Sequence, residues 1–285
     1  MIDQAASLMA MQSRLMSIAY RMLGSVVEAE DVVQDAYLKL QSTDGVRSPE
    51  GFLVRVTTRL CIDRLRSARR REKYIGPWVP EPIETLPQPD RPELSESLSL
   101  AFLLLLERLS PDERAAFLLR TVFDYDYAAI AAMLERNEAS VRKLVSRARE
   151  RLQLEQRRYH PSREEASELA ERFLKACRSG DVGLIEQLLS DDAEVHSDGG
   201  GKVSAARVVV SGRHRAARFM AGVFKKRLRY CDFRRTLVNG QPGYEFVFEG
   251  DSLHVASVEG SDRIEKVLMV LNPEKLTRWT TCSVD

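Results

Sequence analysis

Cysteine is scarce in this 285-residue chain, and long apolar runs are missing. The four cysteines, Cys61, Cys177, Cys231 and Cys282, are widely spaced and form no Cys-x-x-Cys pair. This spacing argues against a zinc site or a disulfide framework and fits a reducing cytosol. The first residues lack a basic region ahead of an apolar stretch, so we expect no signal peptide. The longest apolar run, near residues 98–109, is too short and too interrupted to span a bilayer.

An excess of charge of one sign is also missing, because 43 basic residues face 42 acidic ones. The charge is instead segregated, and residues 55–73 are strongly basic: Arg55, Arg59, Arg64, Arg66, Arg69, Arg70, Arg71 and Lys73. On a helix, one sector roughly 60° wide, opposite an apolar face, would hold Arg55, Arg59, Arg66, Arg70 and Lys73. This pattern predicts a helix with a cationic stripe that suits a polyphosphate backbone. A merely solvated charged face is the alternative.

Prolines cluster in one region and divide the chain. Of the eleven prolines, six lie between Pro77 and Pro92, in an acidic segment. Because proline removes backbone donors and disfavours helix before it, we expect an extended linker at residues 75–97. The sequence therefore predicts an all-helical domain at 1–74, a second helical domain at 98–155 and a third domain at 162–285.

The second helical domain has the spacing of a helix-turn-helix. Ser110-Pro111 reads as an N-cap followed by proline at the first helical position. Residues 126–135 then form a short helix and 139–152 a second one, whose buried stripe leaves basic side chains outside it. An ordinary helical hairpin with a charged surface is the alternative.

The third domain changes character to α+β. Ser162 and Glu165 form a capping box ahead of an amphipathic helix. Strand-like runs follow near 193–197, 205–211, 231–238, 243–249, 252–259 and 263–271, with a helix near 213–227. Turns are expected at Asn239-Gly240 and Glu259-Gly260. The fold class is therefore multidomain, with two all-α domains followed by an α+β domain with a curved antiparallel sheet.

Several strings resemble the sigma-70 family, and specifically its extracytoplasmic-function group. AYRMLGSVVEAEDVVQDAYLKL is similar to the sigma-2 segment that docks on RNA polymerase, and the basic helix to the segment that melts and reads the −10 promoter element. LSPDERAAFLLRTVFDYDYAAIAAMLERNEASVRKLVSRARERL is similar to sigma-4, whose helix-turn-helix reads the −35 element.

The resemblance implies site residues for each partner. Core RNA polymerase would be one partner, through its β′ clamp and β flap. The clamp would meet an acidic helix face with one exposed leucine, and the residues of this face are Asp31, Gln34, Asp35 and Leu38. Promoter DNA would be the other. For the −10 element the residues are Arg55, Arg59, Asp63, Arg66, Arg69 and Arg70. For the −35 element they are Ser140, Arg142, Lys143, Ser146, Arg147 and Arg149.

Two features of the −10 region depart from what the function needs. Arg59 stands where the broader family often has asparagine. A pocket for an extruded base would come from the loop near residues 42–50, which contains no aromatic side chain. Backbone and polar contacts would therefore have to serve in that pocket.

Three further strings resemble a subgroup that carries a C-terminal SnoaL-like extension, a cone-shaped α+β domain. They are Trp78-Val-Pro-Glu-Pro82, Asp198-Gly-Gly-Gly-Lys202 and Asn272-Pro-Glu-Lys-Leu276. The resemblance implies that the cone regulates the sigma factor in cis through these motifs. The residues are Trp78, Pro80, Glu81, Pro82, Asp198, Gly199, Gly200, Gly201, Lys202, Asn272, Pro273, Lys275 and Leu276. We expect Trp78 as an aromatic anchor and Lys202 near the acidic linker; Trp78 filling an edge of the sigma-2 core is the alternative.

Candidate polar groups of a pocket in the cone are His196, Asp198, His214, Tyr244 and His254. Isolated histidines in strands are more often satisfied surface or core residues, so we expect no catalytic residue, cofactor or metal. The expected function is a cytoplasmic, monomeric alternative sigma factor without a membrane partner. The alternatives are a SnoaL-like enzyme of small molecules and a ligand-sensing repressor, each fused to a DNA-binding module. Whether the cone binds a small-molecule ligand stays open.

Overall fold

The structure is a computed structural model that describes residues 2–67, 74–85, 97–153, 162–249, 251–277 and 279. The chain divides into two compact units. Unit 1 combines Met1–Arg70 with Leu105–Gln156, and unit 2 combines Arg71–Leu104 with Arg157–Asp285. The proline-rich segment thus groups with the C-terminal residues.

Unit 1 consists of helices whose apolar stripes share a core. The helices up to the C-terminal domain are α1 (Ile2–Leu23), α2 (Val26–Gln41), α3 (Pro49–Ser67), α4 (Leu100–Leu106), α5 (Pro111–Thr121), α6 (Tyr127–Leu134) and α7 (Glu138–Gln153). The division between the units falls within α4. Leu15, Val32 and Val54 are fully buried in the core. Each such side chain contributes about 1.5–3 kcal/mol through burial.

The predicted start of α5 is confirmed. The Glu113 amide donates to Ser110 Oγ at 3.4 Å, and the Ser110 amide donates to Glu113 Oε2 at 3.0 Å, which completes a capping box with Pro111 behind it. On the same helix, Arg114 is 3% exposed. Its guanidinium donates to the carbonyls of Met22 at 2.7 Å and Leu106 at 2.6 Å. Arg114 therefore satisfies orphan carbonyls at the ends of two other helices.

Unit 2 contains a six-stranded sheet packed with helices. Its elements are α8 (Arg163–Ser179), α9 (Val182–Leu188), β1 (Leu189–Asp198), β2 (Val210–Ser211), α10 (Arg213–Val223), a π-helical turn (Phe224–Leu228), β3 (Asp232–Val238), β4 (Gln241–Phe248), β5 (Asp251–Gly260), β6 (Ile264–Val270) and α11 (Pro273–Leu276). The strand order is β2-β1-β6-β5-β4-β3. All pairs are antiparallel except β1 with β6. The predicted fold class, helical segments followed by an α+β cone, is confirmed.

The sheet predictions need small corrections. The run near 205–211 yields only the short β2, because a glycine turn and an irregular loop occupy residues 199–209. The expected turn at Asn239-Gly240 is confirmed, and both residues have positive φ, 53° and 79°. The turn expected at Glu259-Gly260 comes slightly later, since β5 pairs with β6 as far as Gly260. The helix near 213–227 ends in a π-helical turn rather than as a continuous α-helix.

The two faces of the sheet carry separate cores. On one face, α8 and α10 bury Phe173 and Met220 against Phe246 of β4. On the other face, Val79 of the proline-rich segment and Leu100 of α4 pack with Val238, Val255, Leu268, Val270, Leu276 and Trp279. The segment 74–85 also adds a backbone pairing, because Glu84 bridges to Val238 and the Thr85 amide donates to the Leu237 carbonyl at 3.0 Å. The described part of the expected linker is therefore a layer on the sheet.

Candidate nucleic-acid interface

The face of α2 predicted to dock on a partner is exposed. Asp31, Gln34 and Asp35 point to solvent, and Leu38 is 55% exposed, while Val32, Val33 and Ala36 lie in the core. The Ser25 side chain caps the helix by accepting from the Glu28 amide. An exposed leucine beside carboxylates suits a basic, partly apolar helix better than it suits DNA.

Arg64 of α3 partly neutralises this acidic face. Its guanidinium lies 3.6 Å from Asp31 Oδ2 and 3.4 Å from Asp35 Oδ2, and it donates to the Glu28 carbonyl at 3.0 Å. A partner that supplies cations to α2 therefore competes with Arg64. Exposed pairs of this kind contribute only about 0–1 kcal/mol, so the competition is weak.

The cationic stripe of α3 faces the helix-turn-helix segment within unit 1. Arg59 Nε donates to the Met133 carbonyl at 3.0 Å, and Arg59 Nη2 lies 2.5 Å from Glu135 Oε1. Arg66 Nη2 donates to both carboxylate oxygens of Asp112, at 2.8 and 3.1 Å. Arg136 joins the same carboxylate at 2.7 Å. We call the contacts of Arg59 and Arg66 with Met133, Glu135 and Asp112 the clasp.

The remaining predicted −10 residues differ in placement. Arg55 lies over the Phe52 ring, 5.5 Å from its centroid, and Asp63 is exposed 3.9 Å from Arg66. Arg69 and Arg70 lie outside the described residues. Within the described residues, Arg55 of the stripe thus contacts Phe52 of its own helix, whereas Arg59 and Arg66 are engaged in the clasp.

A cavity of about 500 Å³ opens where the loop before α3 meets α6. It is lined by residues 43–48, Gly51, Phe52, Arg55, Ala129, Ala132 and Met133. The loop itself has no aromatic residue, but Phe52 in the first turn of α3 supplies one. Phe52 thus lines this cavity together with Arg55 and the loop residues.

The helix-turn-helix is formed by α6 and α7. Asp126 caps α6 by accepting from the Ala129 amide at 2.6 Å, and Glu135 ends it in a left-handed conformation. On α7, Val141, Val145 and Ala148 are buried. The predicted −35 residues Arg142, Lys143, Ser146, Arg147 and Arg149 are all exposed, and Ser140 is half-buried. The exposed face of α7 thus presents cations in the manner of a recognition helix.

Asp198, at the end of β1, is the centre of a buried hydrogen-bond cluster in unit 2. Its side chain is fully buried and accepts from the Tyr74 hydroxyl at 2.5 Å, the Val79 amide at 2.8 Å, the Gly200 amide at 3.0 Å and Lys275 Nζ at 2.7 Å. Burial, together with the hydrogen bond to Asp198, raises the pKa of Tyr74. Asp198 therefore ties the proline-rich segment to the cone. We call this cluster the latch.

The predicted motif residues of the cone surround the latch. Lys275 also donates to the Val79 carbonyl and lies 4.5 Å from the centre of the Trp78 ring. Asn272 caps α11, with Pro273 exposed at its first position, and donates to the Tyr74 hydroxyl at 3.1 Å. Five further motif residues are also buried: Pro80, Glu81, Pro82, Gly199 and Leu276. Trp78 is thus an anchor against Lys275 within unit 2.

Backbone conformation and limited space explain why glycines occupy the segment between Asp198 and Lys202. Gly200 and Gly201 have φ of 57° and 72°, and a Cβ on Gly200 would collide with the Asn272 side chain. Lys202 pairs with Glu274 at 2.8 Å. Among the described residues, Lys202 thus contacts the Asn272–Leu276 motif and not, as expected, an acidic residue of the linker.

A second contact between the proline-rich segment and the sheet was not predicted from the sequence. Arg234 of β3 pairs with Glu84 at 2.6 Å and with Glu245 at 2.7 Å, and the Thr236 hydroxyl donates to Glu84 at 2.7 Å. The hydrogen bond from Arg234 lowers the pKa of Glu84. Glu245 is fully buried, so Arg234 compensates its charge. Neither this triad nor the role of Tyr74 carries a local sequence signal.

The candidate pocket residues of the cone do not converge. His196 pairs with Glu194 and the exposed His214 pairs with Glu186, at 3.0 and 2.8 Å. His254 is buried and stacks on Phe246 with ring centroids 4.4 Å apart. Burial, followed by repulsion from Arg227, lowers the pKa of His254 to about 3, which keeps the ring neutral. Asp198 belongs to the latch.

Across the described ranges, no group of three or more His, Cys, Asp or Glu side chains is arranged to hold a metal ion. Over the same part of the chain, no helix combines the length and apolarity needed to cross a membrane.

Comparison with known protein families assigns both helical segments. Residues 8–71 match the family described as Sigma-70 region 2. Residues 99–152 match the family described as Sigma-70, region 4. The first match contains the acidic face of α2 and the stripe of α3, and the second contains the helix-turn-helix.

Individual relatives agree with these family matches. The chain is 37% identical to the ECF RNA polymerase sigma factor SigJ of Mycobacterium tuberculosis over 224 residues, covering 76% of this chain and 72% of the relative. It is 32% identical to the probable ECF RNA polymerase sigma factor SigI of the same species, covering 65% and 66% of the two chains. A crystal structure of the extracytoplasmic function sigma factor SigJ of M. tuberculosis superimposes with a TM-score of 0.76 at 29% identity, over 96% of this chain and 98% of that one. The chain therefore belongs to the extracytoplasmic-function (ECF) sigma factors of the sigma-70 family.

Proposed function

We propose that this ECF sigma factor docks on core RNA polymerase through the exposed face of α2. Asp31, Gln34, Asp35 and Leu38 would meet a basic, partly apolar helix of the β′ clamp, and the region 4 segment would meet the β flap. The observation that supports this is the 55% exposure of Leu38 beside carboxylates, on a helix whose other face is core. A leucine flanked by carboxylates offers apolar contact and negative charge together, which complements a basic, partly apolar helix.

The docking proposal is tested by pull-down of core polymerase with the full chain. We expect Leu38→Asp and Asp35→Arg each to weaken binding, by roughly tenfold if each removes about 1.4 kcal/mol of interface energy. Glu168→Arg is the matched control, because Glu168 is exposed on α8 of unit 2. Equal retention of polymerase by wild type and both α2 variants would reject this docking face.

Promoter recognition is assigned to two surfaces. The cavity beside Phe52 would take an unstacked base of the −10 element, with Arg55 near its phosphate. The exposed side chains of α7 would read the −35 element, with Arg142, Lys143 and Ser146 toward base edges. Arg147 and Arg149 would then contact phosphates.

The clasp keeps these two surfaces too close for simultaneous use. Elements at −35 and −10 lie about 25 base pairs apart, which is roughly 85 Å of B-form DNA. In unit 1, however, Arg59 of α3 contacts Met133 of α6 at 3.0 Å. The same contact places Met133 against the −10 cavity. We infer that binding to both elements requires the clasp to open.

Regulation in cis would act through the latch. The proline-rich segment joins the two sigma segments in sequence, and the latch and the Arg234 triad hold its described part on the cone. A segment held at both points has less reach than a free one of the same length. Release of the segment would lengthen the connection and favour separation of the two DNA-reading surfaces.

In vitro transcription with core polymerase tests this regulation. The comparison is between the full chain, a truncation after Leu152, and Asp198→Asn in the full chain. Cis regulation predicts that truncation and Asp198→Asn shift promoter-specific transcription in the same direction. Identical activity of all three proteins would reject it.

The homologues are transcription factors, and we propose no catalytic residue, cofactor or metal for this chain. We also propose a cytoplasmic monomer, with promoter DNA and core polymerase as partners and no membrane partner. Turnover of a small molecule by the full chain would favour the enzyme alternative. A repressor using only the helix-turn-helix would bind DNA without retaining core polymerase in the pull-down.

A further inference from the structure

Tyr127, the first residue of α6, contacts two arginines of the helix-turn-helix segment. The Arg142 guanidinium carbon lies 4.1 Å from the centre of the Tyr127 ring. The Arg120 guanidinium carbon lies 5.3 Å from the same centre. Tyr127 lies 15 positions before Arg142 in the chain.

The two arginines differ in what else holds them. Arg120 is fixed, because it donates to Asp124 Oδ1 at 3.0 Å and to the Tyr125 carbonyl at 3.1 Å. Arg142 has a side chain that is 59% exposed and makes a long polar contact with Glu138, at 3.4 Å. The Tyr127 ring therefore contacts both an anchored cation, Arg120, and a largely exposed one, Arg142.

The chemistry of this stack suits base recognition. A guanidinium that lies on an aromatic face keeps its N–H donors in its own plane, free to point away from the ring. Those donors are what a bidentate contact to guanine O6 and N7 requires. A flexible arginine loses rotamer freedom when it makes such a contact, and a stack that orients it beforehand reduces that loss.

The surroundings of the stack form a recess on the exposed side of α7. It has a volume of about 300 Å³ and is lined by Tyr127, Arg142, Val145, Ser146, Arg149 and Glu150. Three of the predicted −35 residues, Arg142, Ser146 and Arg149, thus border the same recess as Tyr127. The recess lies where a recognition helix meets DNA.

We propose that Tyr127 is a positioning residue for −35 recognition: its ring orients Arg142 toward one base pair of the element. The proposal rests on the proposed −35 role of α7. Tyr127 itself makes no base contact in this scheme. Its removal should therefore weaken discrimination at the base pair that Arg142 reads, with little effect elsewhere in the element.

The test uses the full chain bound to core polymerase. A duplex pool randomised in the upstream element is first selected with the wild-type complex. The selected 40-base-pair duplex and its single-base-pair variants then serve as probes in competition binding. The variants are Tyr127→Leu, Tyr127→Phe, Arg142→Met and the double variant Tyr127→Leu/Arg142→Met. Tyr230→Leu is the matched control, because Tyr230 forms an exposed arginine stack with Arg229 on the cone, at 5.4 Å.

We expect Arg142→Met to abolish the preference at one base pair. Tyr127→Leu should lower the preference at that same base pair by roughly two- to fivefold, the size of an exposed cation–π contact. Tyr127→Phe should retain the wild-type preference, and the double variant should equal Arg142→Met. Thermal melting identifies any loss of folding, which would lower binding to all probes equally.

Other outcomes would overturn the proposal. A uniform change over all probes in Tyr127→Leu would make the residue structural, and an equal loss in Tyr127→Phe would make its hydroxyl the contact. If Arg142→Met alters the preference and Tyr127→Leu does not, only the positioning role fails. If no upstream base pair is preferred even by the wild-type complex, the −35 role of α7 fails with it.

Discussion

Replacement of Asp198 by asparagine should release the proline-rich segment from the cone. The carboxylate is fully buried and compensates Lys275 at 2.7 Å while accepting from the Val79 amide at 2.8 Å. Asparagine keeps the size of the side chain but removes its charge, so Lys275, 13% exposed, loses its counterion. Breaking a buried pair from one side costs about 3–5 kcal/mol.

The lost stability should accelerate hydrogen exchange of the Val79 amide, which donates to Asp198. Every 1.4 kcal/mol is a factor of ten, so a local loss of about 3 kcal/mol makes the opened segment roughly 100-fold more populated. Hydrogen exchange followed by mass spectrometry on peptides covering 74–85 measures this population in the full chain. Asp192→Asn is the matched control. It is the same chemical change on the same strand, β1, but at an exposed position.

The result that refutes the reasoning is equal exchange of residues 74–85 in Asp198→Asn and Asp192→Asn. The buried ion pair would then contribute nothing to holding the segment. Faster exchange throughout unit 2 in Asp198→Asn would instead mean that the latch stabilises the whole cone. Peptides from β4 and β5 distinguish the two cases.

Three further predictions concern stability. The pKa of His254 is lowered to about 3, below its unfolded value near 6.5, so the unfolded chain takes up the proton first and the free energy of unfolding falls as pH falls below 6.5. At pH 5 the free energy of unfolding should be lower by about 2 kcal/mol, and the His254→Phe variant should not show this decrease in urea unfolding. The same pH dependence in both proteins would contradict the lowered pKa of His254. Arg114→Met removes the donors to the Met22 and Leu106 carbonyls, which should lower the free energy of unfolding in urea by about 2–5 kcal/mol. The control Arg149→Met, at an exposed position, should change the same free energy by less than about 0.5 kcal/mol. Gly200→Ala should lower the melting temperature of the protein more than Gly45→Ala. Both glycines have φ near +60° to +70°, but only a Cβ at Gly200 would meet the Asn272 side chain. Equal melting temperatures would show that the collision relaxes without cost.

Local periodicity predicted several of the helices, α2 and α7 among them, together with their buried faces. The α2 face with Leu38 and the α7 face with Arg142 were both predicted from spacing alone, since a period of 3.6 residues decides which side of a helix meets a core. The N-cap at Ser110 and the turn at Asn239-Gly240 were predictable for a similar reason: caps and tight turns depend on neighbouring residues.

The role of each cation was decided only by tertiary structure. Arg55, Arg59 and Arg66 occupy one sector of α3, yet Arg55 stacks on Phe52 and the other two bind α6 and α5. Electrostatic partners are set by packing between distant segments, and no local pattern encodes them. The same holds for Phe52, which lines a cavity whose neighbouring loop contains no aromatic residue.

The latch shows the division most clearly. The sequence alone marked Asp198 and Lys275 as motif residues through a resemblance. Only the fold brought in Tyr74, 124 positions from Asp198, and the Arg234–Glu84 pair, 150 positions apart. Sequence patterning determined which surfaces this sigma factor exposes. The packing of remote residues decided which of those surfaces are free and which are held, because burial and charge pairing depend on distance in space and not along the chain.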